Sequence, residues 1–133
     1  MASIRKEVLV DVSADAAWEA VRDWGGLHES LVPGFVLDTR LEGSDRIVTF
    51  ANGTVLREIL VDLDDEARRL VWSVVDGPYT HHNGSAQVIE EGDGHARFVW
   101  IADLLPDELA GSTAEAMQRG TDIVKVTLEA RSS

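Results

Sequence analysis

Hydrophobic and polar residues alternate in several short segments of the chain. In the first, Ser3 to Val12, Val8 and Val10 fall on one side and Glu7 and Asp11 on the other, which is typical of a strand with one buried face. The turn sequences EGSD, ANGT, DDEAR, DGP and GDG separate six further segments and predict an antiparallel meander. These segments are Phe35–Leu41, Arg46–Phe50, Val55–Leu63, Leu70–Val75, Thr80–Ile89 and Ala96–Leu104.

Helical patterns lie on both sides of the meander. Ser13 precedes an alanine-rich run that it can cap, and this helix is predicted to end at Gly25–Gly26. A second helix of one or two turns ends at Pro33. After Pro106, apolar positions recur at three- and four-residue steps, which predicts a long helix reaching nearly to the C-terminus. Its inward stripe is Ala110, Ala114, Met117, Thr121, Val124 and Leu128.

The order of these elements predicts an α+β helix-grip fold. A strand, two short helices, an antiparallel meander and a long helix pack economically when a strongly curved sheet wraps around the last helix. We expect residues 1–133 to form a single domain, since the 133-residue length suits one core. The space between the sheet and the last helix is then either a core or a pocket.

Charge and composition exclude several classes of function. The 24 acidic and 12 basic residues give a net charge of -12, which repels nucleic acid and anionic lipid. No apolar run is long enough to insert into a membrane, and no N-terminal targeting signal is seen. We therefore expect a cytoplasmic protein, a monomer or homodimer. With no cysteine and four scattered histidines, we expect no metal and no cofactor.

Four segments resemble a known family. They are VSADAAWEAVRDW (Val12–Trp24), GGLHESLVPG (Gly25–Gly34), LDDEARRLVWSVVDGP (Leu63–Pro78), and GDG followed by Phe98–Pro106. In order and spacing they are similar to the START-like or Bet v 1-like (SRPBCC) superfamily, in its bacterial polyketide cyclase/dehydrase subgroup. The resemblance implies a helix-grip fold with a hydrophobic pocket for a small molecule. Members include lipid and hormone binders, polyketide aromatases and cyclases, and enzymes with no common catalytic motif.

The hairpin around ANG contains the first candidate for chemistry. A three-residue loop, Ala51–Gly53, places Arg46 opposite Glu58 on one mostly apolar face, whereas a two-residue Asn52–Gly53 turn sends them to opposite faces. On a solvent face the pair contributes under about 1 kcal/mol, with Arg57 as a competing partner. The resemblance implies a role in proton transfer for the pair, because a distant plant synthase of the superfamily uses an arginine and a glutamate on neighbouring strands in this way.

The adjacent histidines His81 and His82 are the second candidate. Consecutive side chains on a strand point to opposite faces, so the two cannot hold one metal. A three-residue GDG turn pairs Val88 with Phe98, which puts His82 on the inner, apolar face and His81 in solvent. There a neutral imidazole either donates to or accepts from a bound oxygen, or it is satisfied by backbone or water.

Six further candidate ligand contacts are aromatic, or lie on the inward stripe of the last helix, although each also suits a filled core. They are Trp24, Trp72, Phe98, Trp100, Met117 and Thr121. Three functions stay open at this point. The chain binds a small hydrophobic molecule, polyketide-, sterol- or lipid-like; or it is an acid/base cyclase, dehydratase or isomerase using Arg46, Glu58 and His82; or it is a protein-interaction module with a closed core.

Overall fold

Seven antiparallel strands form one curved sheet in the computed structural model, which describes residues 1–131. Their spatial order is β1-β7-β6-β5-β4-β3-β2, so the first strand pairs with the last and all other neighbours are hairpins. The strands are β1 (Ala2–Val10), β2 (Val36–Glu42), β3 (Asp45–Phe50), β4 (Val55–Asp64), β5 (Arg69–Val74), β6 (His81–Glu90) and β7 (Ala96–Leu105).

Two short helices follow β1, as the sequence predicts. The first, α1 (Ala14–Val21), begins where the Ser13 hydroxyl accepts a hydrogen bond from the Ala16 amide at 3.1 Å. It ends earlier than the predicted Gly25–Gly26. Residues Trp24–Gly26 form a single 3₁₀ turn, which the low helix propensity of two glycines favours. The second helix, α2 (Leu27–Ser30), is one turn long.

The long C-terminal helix, α3 (Ala110–Arg131), lies in the concave face of the sheet. It begins three residues later than Asp107, because Asp107–Leu109 form a 3₁₀ turn. Its buried residues largely repeat the predicted stripe: Thr113, Met117, Gly120, Thr121, Val124 and Leu128. The helix-grip fold is therefore confirmed. None of the helices within residues 1–131 has the length and apolar character needed to cross a bilayer.

Bulges and end contacts fix how the sheet holds α3. Pairing shifts by one residue after Val36 in β2 and after Leu60 in β4, and such bulges bend a strand and increase its twist. Near the far end of α3, the Lys125 ammonium donates to the Leu9 carbonyl at 3.1 Å. Lys125 thus joins this end of α3 to β1.

Two glycines within α3 differ in their surroundings. A Cβ built at Gly120 lies 2.8 Å from a ring carbon of Trp100 and 3.3 Å from one of Phe35. A Cβ at Gly111 meets nothing within 4 Å among the described residues. Gly120 therefore allows two aromatic rings to contact the helix backbone, whereas Gly111 only weakens the helix.

We expect alanine to have opposite effects at these two positions. Gly111→Ala should raise the free energy of unfolding by up to about 1 kcal/mol, because alanine favours helix. Gly120→Ala should lower it by about 1 to 3 kcal/mol, because the new methyl group overlaps Trp100. Urea unfolding of both variants checks this, and an equal gain for both would show that Trp100 does not press on Gly120.

Candidate functional site

A cavity of about 470 Å³ lies between the concave face of the sheet and the first half of α3. Its deep wall is apolar and buried: Val21, Leu31, Val32, Val36, Leu56, Leu70, Ala86, Phe98, Met117 and Val124. Its exposed wall residues lie on the β3–β4 loop, on the β5–β6 loop and on α3: Ala51, Asn52, Thr54, Pro78, Ser112, Glu115 and Arg119. The cavity therefore opens to solvent between these two loops and α3.

The β3–β4 loop sets which side chains of this hairpin enter the cavity. Gly53 has a left-handed φ of 91°, and the Phe50 amide donates to the Thr54 carbonyl at 2.8 Å across the loop. This is the three-residue alternative, and it pairs Arg46 directly with Glu58. Both side chains consequently share the inner face of the sheet.

Arg46 and Glu58 form a buried ion pair in the cavity wall. They are 3% and 5% exposed, and Nε and Nη2 of Arg46 both lie 2.8 Å from Oε1 of Glu58. Burial lowers the pKa of the Arg46 guanidinium, and the Glu58 carboxylate opposes this shift. The alternative of a weak ion pair on a solvent face is therefore wrong. Arg57 does not compete, because it pairs with Glu42 and Asp45 on the other face.

Two indole rings surround the Arg46 guanidinium. Its Cζ lies 3.8 Å from the centre of the Trp24 ring and 5.6 Å from that of Trp72, distances suited to cation–π attraction. Its Nη1 also donates to the Trp24 carbonyl at 3.2 Å. The guanidinium is thus held in one place by neighbours on three elements, and both members of the pair line the cavity.

The two adjacent histidines point to opposite faces of β6. His82 pairs with Leu104 of β7, is 9% exposed and lines the cavity, whereas His81 is half-buried and does not line it. Val88 pairs with Phe98 as expected. Burial, with a smaller contribution from His81, lowers the pKa of His82 to about 4. His82 is therefore neutral at pH 7.

The predicted ligand contacts divide into two groups. Trp72, Phe98, Trp100 and Met117 line the cavity. Trp24 and Thr121 lie outside its wall: Trp24 covers Arg46 and donates from Nε1 to the Ser44 carbonyl at 3.1 Å, and Thr121 is buried in the core at 1% exposure. Helical periodicity gave the side of α3 on which Thr121 lies but not its depth.

Tyr79 and Thr113 are polar wall residues that the sequence analysis did not identify. The hydroxyls of Tyr79 and Thr113 lie 2.8 Å apart and join the β5–β6 loop to α3. The Tyr79 ring also packs edge-on against His82, with centroids 4.4 Å apart. Available signals were that Tyr79 is the chain's only tyrosine and that Thr113 lies four residues before Met117.

The described residues also bear on metal binding. Within residues 1–131, no three or more His, Cys, Asp or Glu side chains come together in a way that could hold a metal ion. The polar groups of the cavity wall include an ion pair, a neutral imidazole and a pair of hydroxyls. These groups suit hydrogen bonding and proton transfer.

Comparisons with known proteins bear on the family and the fold of this chain. The family described as polyketide cyclase/dehydrase and lipid transport matches residues 1–129. No curated protein matches the sequence. A solved structure from Thermobifida fusca is 29% identical, with a TM-score of 0.78, covering 98% of this chain and 91% of that one.

Two more distant solved structures show the same fold. The ZhuI aromatase/cyclase from Streptomyces sp. R1128 is 16% identical with a TM-score of 0.79, covering 99% of this chain and 96% of its own. A START superfamily protein from Mycobacterium smegmatis is 14% identical with a TM-score of 0.72, covering 93% and 97%. The helix-grip arrangement is thus shared with proteins whose sequences are only 14% and 16% identical to this chain.

Breaking the buried ion pair should be costly. Glu58→Gln should lower the free energy of unfolding by about 3 to 5 kcal/mol, because the Arg46 charge is left buried without its partner. Replacing both residues, as Arg46→Met with Glu58→Leu, should cost much less. Urea unfolding of the native protein, of Glu58→Gln and of the double variant measures these costs. Arg57→Met is the control on the solvent face and should have far less effect. A small cost for Glu58→Gln would show that the pair is hydrated in solution.

Acid should destabilise the fold through His82. Its pKa is near 6.5 when unfolded and about 4 in the fold, so the unfolded chain binds the proton first as pH falls. The contribution of neutral His82 to the free energy of unfolding is complete above pH 6.5. It falls by about 3 kcal/mol as the pH is lowered to about 4. Urea unfolding across this range, compared with His82→Phe, isolates the effect. Parallel pH profiles for the two proteins would contradict it.

Proposed function

Because the chain belongs to the polyketide cyclase/dehydrase and lipid transport family, we propose that it binds a small hydrophobic molecule in the cavity between the sheet and α3. The molecule is polyketide-, sterol- or lipid-like. The observation that carries the proposal is the cavity itself, whose 470 Å³ falls within the roughly 300 to 1,000 Å³ of small-molecule sites. An apolar wall with a few fixed polar groups is the usual composition of such sites.

The open cavity argues against a protein-interaction module with a closed core. In such a module Trp72, Trp100 and Met117 would fill the space between the sheet and α3. They instead line an unfilled volume that reaches solvent. An apolar ligand placed there regains the dispersion contacts that the empty wall lacks.

Acid/base catalysis is a second candidate, favoured by the position of Glu58. Its Oε1 receives both close Arg46 nitrogens, so Oε2 is not used by Arg46, while Glu58 lines the cavity. A carboxylate in the cavity wall can accept a proton from a bound molecule that comes within hydrogen-bond distance. The Streptomyces protein of the same fold is described as an aromatase/cyclase, which agrees with this use of the fold.

Co-purification tests binding directly. We expect native mass spectrometry and solvent extraction of freshly purified protein to recover a hydrophobic molecule, and N-phenyl-1-naphthylamine to bind to the emptied protein. Ala116→Trp should abolish probe binding, because Ala116 lines the cavity. Val126→Trp, on the exposed face of the same helix at 68% exposure, should leave it unchanged. The proposal is wrong if no molecule is recovered from several expression hosts and the probe does not bind.

The recovered molecule also separates binding from catalysis. If the protein is an enzyme, incubation with candidate precursors should yield a cyclised, dehydrated or isomerised product. Glu58→Asp should then retain binding and slow the conversion by at least tenfold, since the charge remains but the carboxylate withdraws by about one bond length. An unchanged molecule with the native protein identifies a binding protein, and an unchanged rate in Glu58→Asp excludes Glu58 as the base.

A further inference from the structure

The surroundings of His82 differ between its two ring nitrogens. Nδ1 is buried and has no hydrogen-bond partner among residues 1–131. Nε2 is not among the buried unpartnered atoms, although the His82 side chain forms no hydrogen bond within the described residues, and His82 lines the cavity. Nε2 is therefore the nitrogen that a molecule in the cavity can reach.

The unpartnered Nδ1 determines which nitrogen carries the proton. A neutral imidazole has one N–H donor and one lone-pair acceptor. A proton on Nδ1 would leave a buried donor without an acceptor, whereas a proton on Nε2 leaves only a lone pair without a donor. Buried donors without partners are the rarer case in proteins. The Nε2–H tautomer is therefore favoured.

We propose that His82 presents an Nε2–H donor to the cavity and that the bound molecule meets it with an uncharged acceptor, such as a ketone, quinone or ester carbonyl oxygen. This inference rests on the proposed binding function. The acceptor is uncharged because a neutral N–H cannot offset the cost of moving an anion into an apolar cavity. The low pKa of His82, about 4, agrees with a neutral ring.

The tautomer also separates the roles of the two titratable groups. Since Nε2 carries the proton, His82 does not take one from a bound molecule at neutral pH. It acts as a specificity-determining donor, and its Tyr79 neighbour, 4.4 Å away between ring centroids, holds the ring in place. Glu58 is then the buried carboxylate of the cavity wall that can accept a proton.

The tautomer can be tested without any ligand. Long-range ¹H–¹⁵N NMR spectra at pH 7, with His82 assigned by comparison with His82→Phe, should show a protonated Nε2 and an unprotonated Nδ1. The reverse pattern would mean that Nδ1–H points at the Tyr79 ring face, and it would overturn the proposal.

A matched pair of probes tests the acceptor. We would compare 2-acetylnaphthalene with 2-isopropylnaphthalene, which has nearly the same shape but no carbonyl. The ratio of their affinities should shift toward the hydrocarbon by about tenfold in His82→Phe, because a buried donor is lost. It should stay within about twofold in His81→Phe, since His81 does not line the cavity and loses no such bond.

The outcomes distinguish this inference from the binding function. If both probes bind and the ratio is unchanged in His82→Phe, the inference fails and the binding function stands. If neither probe binds to the native protein, the acceptor and the binding of flat apolar molecules both fail, while the NMR result still decides the tautomer. Retained binding of 2-isopropylnaphthalene by His82→Phe shows that the variant is folded.

Discussion

Loop length at two hairpins decides which side chains of the sheet face the cavity. Because side chains alternate along a strand, a slip of one residue between β3 and β4 would send Arg46 and Glu58 to opposite faces. The turn at Gly92–Gly94 sets the pairing of β6 with β7 in the same way and places His82 inside and His81 outside. The inward positions of Arg46, Glu58 and His82 thus depend on turn chemistry several residues away.

The Arg46–Glu58 pair is difficult to explain by stability alone. Two charges are desolvated, and apolar residues of similar volume often give equal or greater stability than a buried ion pair. The surroundings limit this cost, since Trp24 stacks on the guanidinium and accepts a hydrogen bond through its carbonyl. The proposed binding function would explain a costly pair in a cavity wall, which folding stability alone does not.

Much of the fold followed from periodicity, and the site followed only in part. Alternation and turn residues were sufficient for the strands, because each strand has one buried face. Periodicity did not tell whether an inward residue lies in the cavity wall or in the core. Thr121 shares the inward stripe with Met117, yet it lies in the core. Contacts between distant segments were also hidden, as at Gly84, where a Cβ would lie 2.5 Å from the Trp72 ring. Tyr79 was missed because a loop carries no periodic signal.

His82 and Glu58, two of the polar groups in the cavity wall, complement each other chemically. Burial keeps His82 neutral, since a charge there would have no partner, whereas Glu58 has Arg46 to offset its charge. One group therefore donates to a carbonyl oxygen and the other can accept a proton. A carbonyl that accepts a hydrogen bond makes the hydrogens on its adjacent carbon more acidic, so the same arrangement that orients a bound molecule also prepares it for proton loss to a nearby carboxylate. In the proposed site, acid/base chemistry would require in addition that the bound molecule bring such a hydrogen within reach of Glu58.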